Sequence, residues 1–362
     1  MAAPAGTSSG DVTRAELQLA ARNHALPLEA LRYDVTPAGL HYLLTHYDIP
    51  AVDPASWRLE IGGAVQTPLR LSLADLQAFP AQSRVVTLEC AGNGRARLQP
   101  RPVSQPWLTG AVGTAQWTGV TLAAVVEAAG GVTDRAVELV FTGLDVGVEG
   151  GVEQRYERSL PVAEALGPDT LLAYAMNGAP LPPQHGFPLR LVVAGWYGMA
   201  HVKWLAAITA ATEPFTGFQQ AVGYRLYDAD GTPGDPVTRM LPRSLMVPPG
   251  VPDFLTRDRI VDRGTCRLEG RAWSGWGAIE RVDVSVDACA SWLQADLEAQ
   301  PDARGWVRWS LNWDAVEPGT YVLSSRARDA TGQQQPLEPR WNLKGYANNA
   351  VERIPVTVRG DA

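Results

Sequence analysis

The stretch SRVVTLECAGNGR, residues 83–95, joins an apolar β-branched run to a segment rich in glycine and asparagine. Branched side chains favour strands, whereas glycine and asparagine favour turns. The pattern predicts a strand that ends at Cys90 and a turn that carries Arg95. A thiol beside an arginine could be a reactive thiolate, but a small buried residue would suit the same position.

Composition narrows the class of protein around this stretch. The chain has 362 residues, 46% hydrophobic and 19% charged, which suggests two globular domains. The net charge of −7, with no basic stripe, argues against a nucleic-acid partner. No apolar run is long enough for a membrane span, and no secretory signal is visible, so the compartment stays open between cytoplasmic and, if a signal was removed, periplasmic. Three cysteines, Cys90, Cys266 and Cys289, are too few for a disulfide scaffold.

Helix caps and turn residues divide the first part of the chain into short elements. Residues 1–32 have a weak helical pattern and are predicted to form an N-terminal arm. Helices are expected in LSLADLQAF, capped by Ser72, in TLAAVVEAAGG, between Thr121 and Gly130, and briefly in LPVAEAL. WRLEIGG, AVELVFTGLD and PLRLVVAGW are predicted strands. This mixture predicts an α+β domain over about residues 33–235.

The pattern changes between Asp228 and Met246, where Asp, Gly and Pro cluster. Five strand-like segments follow without a helix: CRLEGRAW, IERVDVSVD, WVRWSLNW, TYVLSSRARDA and ERIPVTV. They predict an immunoglobulin-like β-sandwich over residues 240–362. All five histidines precede residue 202, so the common acid–base side chains lie in the first domain.

The string TLECAGNGR resembles the cysteine motif of the sulfite oxidase family. Further resemblances extend over roughly residues 33–360, in TPAGLHYLLTHYDIPAVDPASWRLEI, QPWLTGAVGTAQWTGV, FTGLD, NGAPLPPQHGFPLRLVVAGWYGMAHVKWL and GRAWSGWGAIERVDVSVD. The resemblance implies a mixed α/β molybdopterin-binding domain followed by a sandwich that makes a homodimer. It also implies that Cys90 is the thiolate ligand of molybdenum, a metal that soft sulfur ligands suit. No haem or flavin domain is expected in this chain.

The same resemblance assigns candidate site residues. Those expected to bind the cofactor are Tyr42, His46, Cys90, Asp145, His185, Arg190, His201, Val202 and Lys203, with His185 and Arg190 on the pterin phosphate. Those expected at the substrate are Arg95, Tyr224 and Lys344, with Tyr227 as the alternative to Tyr224. Several have simpler interpretations: His185 could cap a loop, Asp145 could form a turn, and Trp107 could belong either to the pocket or to the core.

Three departures from the family pattern concern the substrate. Leu44-Thr45-His46 stands where sulfite-oxidising members have Arg-Asn-His, and the earlier Arg22-Asn23-His24 is out of register with the surrounding motif. Lys344 replaces an arginine in WNLKG, and Ala200 stands where an arginine often precedes VKW. Because lysine lacks the bidentate fork of arginine, this pocket should hold a dianion less tightly.

The expected function is oxidation of a small anion, sulfite above all, with electrons passed to an external acceptor such as a c-type cytochrome. Two alternatives remain from the sequence. A reductase of the same family would run oxygen transfer in reverse on an oxyanion or sulfoxide, and a non-enzymatic interaction protein would use only the sandwich.

Overall fold

The first part of the chain combines two five-stranded sheets with short helices. The computed structural model describes residues 7–8, 12–300 and 302–360. The helices are α1 Arg14–Arg22, α2 Leu73–Gln77, α3 Leu122–Ala128 and α4 Val162–Ala165, with 3-10 turns at Leu28–Arg32, Arg95–Arg97, Pro183–His185 and Gly198–Ala200 and a π turn at Gln219–Gly223. The strands are β1 Thr7–Ser8, β2 Leu59–Gly63, β3 Leu69–Leu71, β4 Gln82–Glu89, β5 Arg101–Pro102, β6 Val112–Thr121, β7 Glu138–Glu149, β8 Val152–Pro161, β9 Thr170–Met176, β10 Ala179–Pro180, β11 Arg190–Val193, β12 Leu205–Ala211, β13 Arg225–Tyr227 and β14 Pro233–Pro236.

Strand β4 carries the candidate cysteine to the edge of a sheet. One sheet has the order β10-β9-β6-β4, with β11 also on β9, and the other has the order β3-β2-β12-β7-β8. β4 pairs antiparallel with β6 and ends at Glu89, one residue before the predicted end at Cys90. The turn that follows includes Gly94 at a φ of +86°, a left-handed conformation that favours glycine. Cys90 therefore sits directly after a buried strand.

The predicted helix caps are confirmed. The Ser72 hydroxyl accepts from the backbone N–H of Asp75, and the Thr121 hydroxyl accepts from that of Ala124. The predicted N-terminal helix is shorter than its pattern and closes at Arg22. It is docked on the domain because Glu16, fully buried, pairs with Arg101. Residues 1–6 and 9–11 of the predicted arm lie outside the described residues.

The second part of the chain is the predicted β-sandwich. Its strands are β15 Arg243–Met246, β16 Val251–Pro252, β17 Arg259–Val261, β18 Gly264–Trp273, β19 Ile279–Ser285, β20 Leu293–Gln294, β21 Asp296–Leu297, β22 Val307–Ala315, β23 Gly319–Asp329 and β24 Ile354–Val358. They form two sheets, β15-β18-β22-β21 and β16-β17-β24-β23-β19-β20. Within the described ranges, no helix is both long enough and apolar enough to cross a membrane.

Apolar and polar residues alternate along β19, but the alternation does not separate a buried face from an exposed one. Val282, Asp283, Val284 and Ser285 are all buried. The Asp283 carboxylate is satisfied by ion pairs with Arg281 at 2.6 Å and with Arg326 at 3.1 Å. Both faces of the strand are therefore covered, and the polar positions are held by charge pairing instead of solvent.

A buried carboxylate joins the two domains next to Cys90. Glu89, fully buried, accepts from the Asn93 side chain at 3.0 Å and from the Trp273 indole N–H at 2.9 Å. The Arg243 Nε lies 2.9 Å from its Oε1 as an ion pair. Trp273 and Arg243 belong to the sandwich, so this carboxylate fixes the end of β4 against the second domain.

We expect Glu89→Gln to lower the free energy of unfolding by about 3–5 kcal/mol, because it leaves the buried guanidinium of Arg243 without its counter-charge. Urea denaturation followed by tryptophan fluorescence measures the change. Glu60→Gln is the matched control, since the Glu60–Arg70 pair is exposed at 3.6 Å and such pairs contribute little. Equal midpoints for the two variants would contradict the role given to Glu89.

Candidate active site

A cavity lies where β4 ends. It is formed by residues 41–46, which we call the opening segment, by the middle of β7 and by the connections around β11. We call it the inner cavity. Its lining includes His41, Tyr42, Leu44, His46, Cys90, Asp145, Tyr156, His185, Arg190, Gly198, Met199, His201, Lys203 and Tyr224. Eight of the nine residues predicted to bind a cofactor, Cys90 among them, thus line this cavity, and Val202 does not.

The inner cavity contains a buried cation, Arg190, that pairs with no carboxylate among the described residues. Arg190 is 5% exposed, donates to the His185 carbonyl at 3.0 Å and stacks on Trp117, and its Nε has no partner among the described residues. Burial lowers the pKa of Arg190 to about 10. A buried cation without a counter-ion is costly. An anionic ligand that accepts from this guanidinium would remove the cost.

Three histidines surround the arginine in neutral form. Burial lowers the pKa of His41 to about 4, of His185 to about 2 and of His201 to about 3, and Arg190 adds repulsion at each. The ring of His41 meets that of His185 edge-on, with centroids 5.5 Å apart, and the His41 Nε2 has no partner among the described residues. His41 is therefore a ligand-facing polar group that the sequence interpretation missed.

His201 differs from the other two histidines. Its Nδ1 accepts from the Val193 backbone N–H at 3.1 Å, and its Nε2 lies 3.1 Å from the Trp196 carbonyl. Both ring nitrogens therefore bind the backbone, which positions β11 beside the cavity. Val202 is fully buried in the core, and its N–H donates to the Ala200 carbonyl.

Lys203 and Asp145 both line the cavity. The Lys203 ammonium donates to the Leu44 carbonyl at 2.9 Å and the Gln184 carbonyl at 3.0 Å. Burial and Arg190 lower the pKa of Lys203 to about 7, although Asp145 opposes the shift. Burial raises the pKa of Asp145 to about 6. Lys203 thus clamps the opening segment onto the cavity and still presents a cation to it.

Cys90 is a buried free thiol at one end of the cavity. Burial raises its pKa, although the nearby Arg95 acts in the opposite direction. Among the described residues, no group of three or more His, Cys, Asp or Glu side chains could enclose a metal ion. If Cys90 binds a metal, the remaining ligands must come from a bound molecule. The convergent cations show where the anionic part of that molecule would fit.

A second opening leads from Cys90 to the surface, and we call it the channel. Its inner part is lined by Leu44, His46, Cys90, Arg95, Gln105, Trp107, Glu149, Tyr224 and Tyr346. Its outer part shares several of these and adds Gln219, Leu343 and Lys344. Predicted substrate residues Arg95, Tyr224 and Lys344 therefore lie along one passage, and Trp107, 3% exposed, contributes to its wall.

Arg95 and Lys344 are unequally available to a substrate. Arg95 Nε donates to the Lys344 carbonyl at 2.7 Å, and its guanidinium stacks on Tyr346, while Nη2 donates to no described residue. The Lys344 ammonium donates to the Val222 and Gly223 carbonyls at 2.6 and 2.9 Å. Lys344 therefore uses two of its three N–H donors to hold the segment before Tyr224 in place, whereas Arg95 keeps the whole of Nη2 available.

The structure separates the two candidate tyrosines. Tyr224 is 7% exposed, lines both openings and stacks on Tyr346 with centroids 5.3 Å apart. Tyr227 donates its hydroxyl to the Val222 carbonyl and lies under the Lys344 ammonium. The channel residue is thus Tyr224. Burial and a hydrogen bond with the Tyr156 hydroxyl raise the pKa of Tyr224, so its hydroxyl stays protonated, and a ligand oxygen would compete with Tyr156 for that proton.

Besides His41, the sequence interpretation missed two charged residues at the channel. Arg158, buried on β8, lies over the Tyr224 ring at 5.6 Å. Glu149 ends β7 beside the Gly150-Gly151 turn, and both glycines have positive φ, as the tight hairpin requires. The Gly-Gly pair indicates a hairpin, but no local pattern indicates that its tip reaches His46.

Comparison with known proteins identifies relatives over most of the chain. A family model described as oxidoreductase molybdopterin binding domain matches residues 46–219, and one described as Mo-co oxidoreductase dimerisation domain matches residues 238–359. Mitochondrial sulfite oxidase of Mus musculus is 36% identical over 90% of this chain and 62% of that protein, and sulfite oxidase of Gallus gallus is 35% identical over 88% and 72%. The chain thus spans less than two thirds of the length of the mouse relative.

A plant relative and a solved structure extend the comparison. An NADH nitrate reductase of Oryza sativa subsp. japonica is 32% identical over 90% of this chain and 38% of that protein. The crystal structure of the sulfane dehydrogenase SoxCD from Paracoccus pantotrophus superposes with a TM-score of 0.79 at 25% identity, and covers 99% of this chain and 95% of that chain. This agreement confirms the predicted two-part fold.

The three neutral histidines make the ligand-free chain sensitive to acid. Unfolding lets them take up protons below about pH 6.5, whereas the raised pKa of Asp145 acts oppositely below about pH 6. The folded state binds fewer protons, so stability should fall as the pH drops from 6.5 to 4. His185→Gln should remove about 1.4 kcal/mol per pH unit from this slope.

Chemical denaturation of ligand-free protein at a series of pH values measures the slope. Gln184→Ala is the matched control, because it changes the neighbouring side chain without removing a titratable group. If the slope of His185→Gln equals that of the control, His185 is not held neutral in the folded chain.

Proposed function

Since the chain belongs to the sulfite oxidase family, we propose that it is a molybdenum-cofactor oxidoreductase that oxidises sulfite to sulfate. The observation that carries this proposal is the meeting of the Cys90 thiol, the uncompensated Arg190 cation and the Arg95 donor around two connected openings. A cofactor with a metal-binding end and an anionic end fits the inner cavity, and a small anion fits the channel. We further propose a cofactor domain over residues 33–235 and a dimer-forming sandwich over residues 240–362.

The cofactor would be held at both of its ends. Cys90 would give a thiolate to molybdenum, and the metal would keep that sulfur deprotonated against the effect of burial. Arg190 and His185 would take the pterin phosphate through charge-assisted hydrogen bonds. The other residues proposed to contact the cofactor are Tyr42, His46, Asp145, His201, Val202 and Lys203. His41 joins them because its Nε2 lacks a partner among the described residues.

The bound molybdenum centre supplies oxygen-atom transfer and accepts two electrons, and the chain supplies position and charge. Arg95 orients the substrate oxyanion through its free Nη2. The Tyr224 hydroxyl donates a hydrogen bond to a substrate oxygen, and Tyr346 holds the Tyr224 ring by stacking. Lys344 keeps the Tyr224 segment in place and adds positive charge.

Sulfite oxidation releases two electrons, and we propose that an external one-electron acceptor, such as a c-type cytochrome, takes them in turn.

The same-family alternative is a reductase of an oxyanion or a sulfoxide. It is supported by the nitrate reductase relative and by the reduced number of arginines in the channel. The cationic inner cavity, which the sandwich alone would not need, argues against a purely adhesive protein.

Molybdenum-loaded protein should reduce ferricyanide when sulfite is added, and Cys90→Ser should reduce that turnover at least a hundredfold because the hydroxyl is a much poorer ligand than a thiolate. The assay follows the loss of ferricyanide absorbance, and the molybdenum content of each protein sample is measured in parallel. Cys266→Ser is the matched control, since Cys266 lies on β18 of the sandwich. Loaded wild-type protein without sulfite turnover would favour the reductase.

Leu44→Arg should lower the KM for sulfite about ten- to a hundredfold, the value of one added charge-assisted contact. Leu44 lines both the inner cavity and the channel, so an arginine there would reach a bound anion. Initial rates against sulfite concentration give the KM. Leu108→Arg adds the same charge at an exposed residue and should leave the KM unchanged. An unchanged or higher KM in Leu44→Arg contradicts this account of the channel.

A further inference from the structure

The channel contains a carboxylate that an anion pocket would not need. One oxygen of Glu149, Oε2, accepts from the Gln219 amide at 2.5 Å and the Tyr47 hydroxyl at 3.2 Å, and lies 3.0 Å from the His46 Nε2. Gln219 also donates to Tyr47 at 2.9 Å. Three side chains therefore fix the position of one carboxylate, and they do so at the end of a tight hairpin.

Glu149 is ionised at neutral pH. Burial alone would raise its pKa, but the bonds from His46, Gln219 and Tyr47 outweigh burial and lower the pKa of Glu149. Its second oxygen, Oε1, accepts from no described residue. Because Glu149 lines both parts of the channel, this oxygen is available to a molecule that enters.

Arg95 provides the opposite charge in the same channel. It is 5% exposed, and no carboxylate among the described residues pairs with it. Leu44 occupies the place where a further arginine would strengthen an anion site. Arg95 and Lys344 give the channel positive charge, while Glu149 offers it a carboxylate oxygen, so a dianion would gain from the two cations and be repelled by Glu149.

We propose that Glu149 selects substrates whose oxidisable sulfur carries a single negative charge and which bear a cationic nitrogen, with aminoalkylsulfinates as the simplest class. The proposal rests on the oxidase function proposed above. The sulfinate oxygens would meet Arg95 and the Tyr224 hydroxyl, and the ammonium would donate to Glu149 Oε1. A neutral sulfoxide would leave Arg95 unpaired.

The chemistry is the same oxygen transfer to a sulfur lone pair. The sulfur of a sulfinate still carries a lone pair. The new S–O bond forms at that lone pair, and the product is a sulfonate. Overall, sulfinate and water give sulfonate, two protons and two electrons. Both O–H bonds of the water break, and two equivalents of a one-electron acceptor, ferricyanide in the assay, are reduced. Sulfur is oxidised by two electrons, so the balance needs no further reagent.

The test compares 2-aminoethanesulfinate with ethanesulfinate, which lacks the ammonium group. With molybdenum-loaded wild-type protein, kcat/KM for the amino compound should be at least tenfold higher, the effect of one charge-assisted contact. Glu149→Gln should abolish this preference and lower the KM for sulfite, because it removes the repulsion while keeping the shape. Glu153→Gln, on the exposed part of β8, should keep the wild-type preference.

A binding measurement separates this proposal from the oxidase proposal. Calorimetry of the loaded protein with the unreactive products, 2-aminoethanesulfonate and ethanesulfonate, needs no turnover. Tighter binding of the amino product that disappears in Glu149→Gln supports the proposal even if sulfite turnover is absent. Equal affinities in wild-type protein, or a preference that survives in a folded Glu149→Gln, overturn it whatever the sulfite activity.

Discussion

The carboxylate of Glu89 is the contact on which the arrangement around Cys90 depends. It is fully buried, and its partners come from the turn after Cys90 and from the sandwich. Asn93, one of these partners, also accepts from the Ala111 N–H, so the turn is tied to β6 as well. A buried charge tolerates little displacement because each lost partner leaves an unpaired group in a low dielectric. The Cys90 thiol, on the next residue, is therefore held in a fixed position.

The sandwich therefore contributes to the candidate active site and is more than a separate β domain. Trp273 and Trp306 from the sandwich pack in the same hydrophobic core as Leu59 and Phe141 of the first domain. Lys344, which follows the long strand β23, returns to the channel and fixes the segment before Tyr224. The groups proposed to face the substrate thus come from both domains. The relative placement of the two domains therefore determines the contact between Arg95 and Lys344.

The local sequence pattern was sufficient to predict the strands and helices, but not the polar contacts within the candidate site. The strand to Cys90, the caps at Ser72 and Thr121 and the sandwich strands all depend on neighbouring residues, and the structure has them. The bonding of His201 depends on backbone atoms of Val193 and Trp196, which only the folded connection presents. Glu149 lies 103 residues from His46 in the chain, and sheet pairing brings them together. Such contacts leave no periodicity in the sequence.

The two openings use charge in opposite ways, and this difference follows from what each would hold. The inner cavity concentrates cations, lowers the pKa of its histidines and leaves Arg190 without a carboxylate, an arrangement that a permanent anionic ligand would stabilise. The channel instead places a held carboxylate near one free guanidinium, so neither charge depends on a resident ligand. A transient ligand must replace water at both groups without binding too tightly to leave. A channel with opposed charges can recognise the orientation of a polar molecule at a modest affinity, whereas a purely cationic channel would recognise only net charge. For this reason we consider Leu44 and Glu149 together. Leu44 removes a positive charge and Glu149 adds a negative one, so both make the channel less selective for dianions.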